Sequence, residues 1–257
     1  MTTYEDGFLS KSIDEVCSIV HEQYGPWVTL FYATNRSAVQ VQHALVIDRG
    51  NPVQLYAAAL YARTLSSIQG AVIVLEKGME PQARTLLRMA LEAFFALAAI
   101  AKQPNIVQRL HEAHGAEQRR VAKNMKRWQS PELQSFVQKH LSAGTFEKFL
   151  HSEDKEIKAL DLAKVGGYED FYRTVYMVFS WSTHSAPTDL ERHLVKDGQG
   201  KLIELKNEAE FGDQIPSWCC AIELLIKSQE ALAEVFSRLD VSHLKKAKDA
   251  LHGLSLA

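Results

Sequence analysis

The chain has 257 residues, of which 46% are hydrophobic and 23% charged, and its 13 glycines and 7 prolines are too few for a disordered or fibrous protein. A formal net charge of −2 argues against a uniformly basic nucleic-acid-binding protein, although a local basic patch is compatible with it. Cys17, Cys219 and Cys220 cannot form a disulfide framework and lack the spacing of a zinc site. We therefore expect a bacterial, cytoplasmic protein with reduced thiols.

No segment is predicted to enter a membrane. Residues 1–10 lack the basic and apolar stretches of a signal peptide. The most apolar segment, residues 90–101, is too short for a membrane span and includes Glu92, so it should be a core helix. No repeat or linker divides the chain, so we expect a single helical domain over residues 1–257, and the helices within residues 1–50 could lie at its periphery.

Helix-forming stretches alternate with short breaks at glycine and proline, which is typical of an all-α protein. The predicted helices cover residues 9–24, 27–48, 52–77, 80–102, 105–128, 131–151, 153–164, 168–184, 188–194, 214–238 and 241–253. The third and fourth are joined only around Gly78 and should form a central antiparallel hairpin. A β-hairpin is predicted over residues 194–205, where apolar runs flank an Asp-Gly turn. The predicted fold class is an all-α irregular helical bundle with one small β-hairpin.

Charged residues recur on one face of the fourth predicted helix. Arg84, Arg88 and Glu92 are spaced four residues apart, and apolar residues surround them, so we expect this charged face to be buried. The simpler interpretation is an Arg88–Glu92 ion pair that fixes helix packing, whose loss would leave Glu92 as an unpaired buried charge. In the alternative, Arg88 binds a phosphate or carboxylate and Glu92 orients it.

An aromatic-rich helix over residues 172–184 becomes polar in its last turn. It ends at His184, a residue that can exchange protons near neutral pH. In the alternative, His184 only caps the last carbonyls, while Ser180 and Ser182 bond back to the preceding turn.

These two segments resemble an uncharacterised family of all-helical bacterial proteins, which carry an Arg-x-x-x-Glu helix and a downstream tyrosine-rich helix ending in serine and histidine. The matching residues are Arg88, Glu92, Ser180 or Ser182, and His184. The resemblance spans roughly residues 55–195. Because members of the family have no agreed activity, the resemblance implies a helical fold and no mechanism.

A more distant resemblance is to the HEPN class of helical domains, many of which are metal-independent ribonucleases in toxin and antiphage systems. Their mark is an arginine followed a few residues later by a histidine. Arg36 with His43 and Arg109 with His114 both have spacings of that class. The resemblance implies that one of these pairs could be catalytic in place of Arg88, Glu92 and His184.

A basic stripe follows in the fifth predicted helix. Arg119, Lys123 and either Lys126 or Arg127 should align on one face, where they could contact RNA phosphates while Trp128 stacks on a base. The alternative is a solvated helix face without a ligand.

No motif of a common cofactor enzyme is present, and the pair His111 and His114 lacks a third ligand, so neither a cofactor nor a metal is expected. Two functions remain. The first is a metal-independent ribonuclease, or an RNA- or nucleotide-binding protein, acting in stress or phage defence. The second is a non-enzymatic helical module that forms a homodimer or binds a partner protein.

Overall fold

A computed structural model of the chain describes residues 6–127, 130, 131, 135, 139, 150, 155–184, 186–205 and 208–256. The predicted helix over residues 131–151 lies almost wholly outside the described residues. Most of the described residues are helical, and they include one two-stranded sheet. The predicted fold class is therefore confirmed.

The helices are α1 (Ile13–Gln23), α2 (Gly25–Ala44), α3 (Pro52–Leu75), α4 (Glu80–Lys102), α5 (Ile106–Arg127), α6 (Ala159–Gly166), α7 (residues 169–183), α8 (Pro187–Leu190), α9 (Ile215–Val235) and α10 (Leu244–Ser255). Within α7, a π-helical turn, Tyr172–Tyr176, joins the short α-helix Glu169–Phe171 to Met177–Thr183. Short 3-10 turns are Gly7–Leu9 and Glu191–His193.

The predicted hairpin of α3 and α4 forms the centre of the bundle. Asn51 caps α3 by accepting hydrogen bonds from the backbone N–H groups of Val53 and Gln54. At the turn Gly78 has φ +70°, a conformation that glycine adopts without steric cost. The backbone N–H of Glu210 donates to the Gly78 carbonyl at 2.9 Å, which holds a later segment of the chain over this turn.

The second half of α4 is buried on every side, because α3, α6, α7 and α9 all pack around it. Its alanines allow close approach: a Cβ added to Gly166 of α6 would lie 2.9 Å from Ala98 Cβ. The predicted core helix over residues 90–101 is therefore present. The N-terminal helices join the same core, where Phe31 of α2 meets Trp218 of α9 edge to face with ring centroids 5.9 Å apart.

By length and composition, α3 could cross a membrane, but 39% of its apolar window is buried and it packs against α4 and α9. Core helices of globular proteins have the same properties.

The β-hairpin consists of β1 (Leu194–Lys196) and β2 (Leu202–Leu205), paired antiparallel as predicted. Asp197 Oδ1 accepts backbone hydrogen bonds from Gln199 and Lys201, and Gly200 takes φ +81°. The hairpin thus follows from its local turn chemistry.

Candidate functional site

Polar residues of α4 and α7 face each other in an antiparallel register. The Tyr176 hydroxyl donates to Glu92 Oε1 at 2.7 Å. One turn earlier on α4 and one turn later on α7, Arg88 Nε donates to Ser180 Oγ at 3.0 Å. Each turn toward the start of α4 is therefore matched by a turn toward the end of α7.

Arg88 joins three polar groups into one network. Its Nη2 donates to the Tyr176 hydroxyl at 2.7 Å and lies 3.1 Å from Glu92 Oε1, and its guanidinium carbon lies 4.8 Å from the Tyr176 ring centroid. Burial, followed by the hydrogen bond to Glu92, raises the pKa of Tyr176 well above its usual value. Tyr176 therefore remains a hydroxyl donor between the two charged residues.

The predicted Arg88–Glu92 ion pair is present, but the expected burial of Glu92 is wrong. The Arg88 side chain is 18% exposed, whereas that of Glu92 is 42% exposed. Within the described residues Glu92 is held only by Arg88 and Tyr176, and the rest of its carboxylate reaches water. Removal of the Arg88 side chain would therefore leave Glu92 partly hydrated and not as an unpaired buried charge.

The most buried charge on this face is Glu80, which the sequence reasoning missed. Its side chain is only 4% exposed. It accepts hydrogen bonds from Arg84 Nε at 2.9 Å, from Arg192 Nη1 at 2.7 Å and from Ser217 Oγ at 3.3 Å. Arg192 Nη1 also donates to Glu210 Oε2 at 2.8 Å. Glu80 lies one turn before Arg84, so the same four-residue spacing could have identified it. No sequence feature near Arg192 identified it as a partner of Glu80, which lies 112 residues earlier in the chain.

A cavity of about 170 Å³ lies beside this cluster, between α7 and α8. Its lining residues are Arg84, Val178, Trp181, Ser182, Asp189 and Arg192. The Trp181 residue is 51% exposed. Arg84 and Arg192 also border a broader cavity of about 820 Å³ on the side of Glu210 and Phe211.

The two serines of α7 have different roles. Ser180 Oγ donates to the Tyr176 carbonyl at 2.8 Å, as predicted. The same prediction is wrong for Ser182, whose hydroxyl donates to Asp189 Oδ1 at 2.9 Å and so ties α7 to α8.

His184 ends α7 and is exposed to solvent. Its backbone N–H donates to the Ser180 carbonyl at 3.1 Å, and its imidazole makes no hydrogen bond or ion pair with any described residue. Arg88 and Glu92 thus meet Tyr176 and Ser180, and no described contact joins them to His184. His184 lies two residues beyond Ser182, which lines a small cavity together with Arg84.

The other arginine–histidine pairs lie on exposed helix surfaces. Arg36 and His43 are both exposed on α2, two turns apart. On α5, Arg109 is exposed and His114 Nε2 lies 2.9 Å from Gln118 Nε2. His111 Nδ1 lies 3.5 Å from the Tyr56 hydroxyl. The described residues contain no group of three or more potential metal ligands.

Part of the predicted basic stripe lines a cavity of about 260 Å³, formed by Ala116, Arg119, Arg120, Lys123, Asn124, Arg127 and Glu156. Trp128 and the side chain of Lys126 lie outside the described residues. Arg120 lies 3.8 Å from Glu156, so part of the positive charge is balanced. α5 joins the main core through its N-terminal end, at Ile106 and Val107.

Comparisons with curated proteins and with solved structures each find no match. The model of a family of unknown function, DUF5677, matches residues 54–201, which run from the first turn of α3 through β1 and contain the Arg88 network. This confirms the resemblance to an uncharacterised family, whereas nothing in the comparisons supports the resemblance to the HEPN class. Because the match covers more than half of the 257 residues, the chain belongs to the DUF5677 family of unknown function.

Proposed function

We propose that this protein binds single-stranded RNA at the C-terminal end of α7 and cleaves it without a metal ion, with His184 as the proton donor. One observation carries the proposal: the exposed His184 ends α7 two residues after Ser182, which lines a small cavity together with Arg84, Trp181 and Arg192. A cytoplasmic location and a role in stress or phage defence belong to the same proposal.

The arginines of the cavity retain free hydrogen-bond donors. Among the described residues no partner contacts Arg84 Nη1 or Arg192 Nη2. Glu80 fixes both side chains before a ligand arrives, so these donors can bind a phosphate oxygen without further ordering. Trp181 supplies an exposed ring on which an unpaired base can stack.

The proposed reaction follows from these placements. The ribose 2′ oxygen attacks phosphorus and forms a cyclic phosphate, and its proton passes to water. The bond from phosphorus to the 5′ oxygen breaks, and protonated His184 gives its proton to that leaving oxygen. Arg84 stabilises the charge on the phosphoryl oxygens. Arg88 has no role in the chemistry; it positions α7 through Tyr176 and Ser180.

The test is to incubate the purified protein with total RNA, with and without a chelator. Cleavage should survive the chelator and be lost in His184→Ala. His252→Ala is the matched control, because His252 is also exposed near the end of a helix. Cleavage that needs a metal, or that persists in His184→Ala, would refute the proposal. In the second case, His43→Ala and His114→Ala would show whether either alternative pair is catalytic.

A second candidate function, a homodimer, is favoured by a different observation. Leu202, Ile203 and Leu205 of β2 are 51%, 66% and 70% exposed, and within the described residues β2 pairs only with β1. A two-stranded hairpin with an open apolar edge can pair antiparallel with a second copy of itself.

Light scattering should then give twice the monomer mass, and Ile203→Lys should return the monomer. Leu9→Lys, at another exposed apolar residue, serves as the control. A wild-type protein that remains monomeric at high concentration would exclude this candidate.

A further inference from the structure

A further cavity, of about 790 Å³, lies between the end of α2 and the segment that joins α9 to α10. Seven of its fifteen lining residues are apolar: Val41, Ala44, Leu45, Val46, Ile47, Phe236 and Leu239. Its polar residues are Ser37, Gln40, Asp48, Gln54, Ser237, Arg238, Asp240 and His243. A cavity of this volume that combines an apolar region with polar groups can hold a small molecule.

A buried amide orients the histidine of this cavity. Gln229 is completely buried, and its Nε2 donates to the Leu225 carbonyl at 2.9 Å, so its Oε1 is the acceptor atom. His243 Nε2 lies 3.1 Å from that oxygen and must therefore carry a proton. In the neutral ring His243 Nδ1 is then a hydrogen-bond acceptor, and it has no partner among the described residues.

The charges around this cavity are predominantly negative. Asp48 and Asp240 each accept one backbone hydrogen bond through Oδ1, from Gly50 and Ser242, and Asp240 also accepts a hydrogen bond from the Ser242 side chain. The backbone hydrogen bond from Ser242 lowers the pKa of Asp240, which therefore stays ionised. Arg238 is the single cation on the described wall when His243 is neutral.

From this arrangement we infer that the cavity binds a small amphipathic amine. The apolar part of the ligand lies against Val41, Leu45 and Phe236, and its ammonium group donates to His243 Nδ1 next to the Asp240 carboxylate. His243 Nδ1 offers a free lone pair, and the Asp240 carboxylate supplies the negative charge that attracts an ammonium group. A carboxylate ligand would instead face two like charges and an imidazole nitrogen without a proton, with Arg238 as its one cationic partner.

This site is independent of the proposed RNA site. Apart from Gln54, its lining residues lie outside residues 54–201, the part of the chain that matches the family. The amine site is therefore expected to be a property of this chain, and it does not depend on whether His184 cleaves RNA.

Three probes of equal length separate the contributions of charge and apolar surface: hexylammonium, hexanol and hexanoate. Titration of the full chain, followed by calorimetry and by the imidazole NMR signals of His243, should give affinities in that order. We expect hexylammonium to bind at least about tenfold more tightly than hexanoate, a difference of about 1.4 kcal/mol.

Two variants test the location. Ala44→Trp fills the cavity from an exposed position and should abolish binding of all three probes. Asp240→Asn should weaken the binding of hexylammonium about tenfold and leave the binding of hexanol unchanged. Because Asp240 is exposed, this variant should remain folded, so it tests the site even if Ala44→Trp does not fold. Asp249→Asn, at an exposed site on α10, is the control. Equal affinity for hexanoate, no binding of hexylammonium, or full affinity in Asp240→Asn would overturn the inference.

Discussion

The Arg88 network can be tested by removing its central side chain. Arg88→Ala eliminates two hydrogen bonds from a charged donor, to Ser180 and Tyr176, and the contact with Glu92. Such bonds contribute about 1.5–3 kcal/mol each when their partners are left unsatisfied. Here Tyr176 keeps its bond to Glu92, and Ser180 keeps its bond to the Tyr176 carbonyl.

The free energy of unfolding should therefore fall by about 2–3 kcal/mol, below the range of about 3–5 kcal/mol typical of breaking a buried ion pair, because Glu92 is half exposed. Urea denaturation at neutral pH measures this change. Arg63→Ala, at an exposed arginine of α3, should change the stability by less than about 0.5 kcal/mol.

A double-mutant cycle then identifies the main partner of Arg88. The coupling with Tyr176, measured with Tyr176→Phe, should be about 1–2 kcal/mol. The coupling with Glu92, measured with Glu92→Gln, should be about 0.5 kcal/mol because this carboxylate is 42% exposed and screened by water. If Glu92 showed the larger coupling, the network would be a simple ion pair and our account of Tyr176 would be wrong.

Four further outcomes are expected. His184→Ala should leave the thermal midpoint unchanged, since its imidazole has no described partner; a loss of about 0.5–2 kcal/mol would instead indicate helix capping. Glu80→Ala should cost about 3–5 kcal/mol by urea denaturation, because Arg84 loses its buried acceptor, and a cost below about 1 kcal/mol would contradict this. Burial raises the pKa of Tyr32 to about 12 and raises those of Tyr61 and Tyr176, so the folded state holds these protons more tightly than the unfolded state. The contribution of these tyrosines to stability should be constant up to about pH 10 and fall from there toward pH 12, and the fall should be less steep in Tyr176→Phe. Lys123→Gln should reduce the slope of log affinity for RNA against log salt by about 1 if the basic stripe contacts phosphates, and an unchanged slope would identify a solvated face.

Local features of the sequence predicted most of the fold. The turn at Gly78 and the Asp197-Gly198 hairpin depend on a few adjacent residues, whose backbone preferences act over short distances. The Arg88–Glu92 pair was predictable for the same reason, since four residues make about one helical turn whatever surrounds the helix. The π-helical turn at Tyr172–Tyr176 was not predicted, because it differs from an α-helix by a shift in hydrogen bonding that helix propensity does not encode.

Only the tertiary structure decided what the charged face of α4 contacts. Tyr176 and Ser180 meet Arg88 across 88 and 92 residues of chain, and Arg192 meets Glu80 across 112. The same packing buries Glu80 and leaves Glu92 half in water, although both lie on one helix face with the same spacing. Helix periodicity determines which residues share a face, whereas burial and long-range partners depend on which neighbouring helix covers each turn of that face.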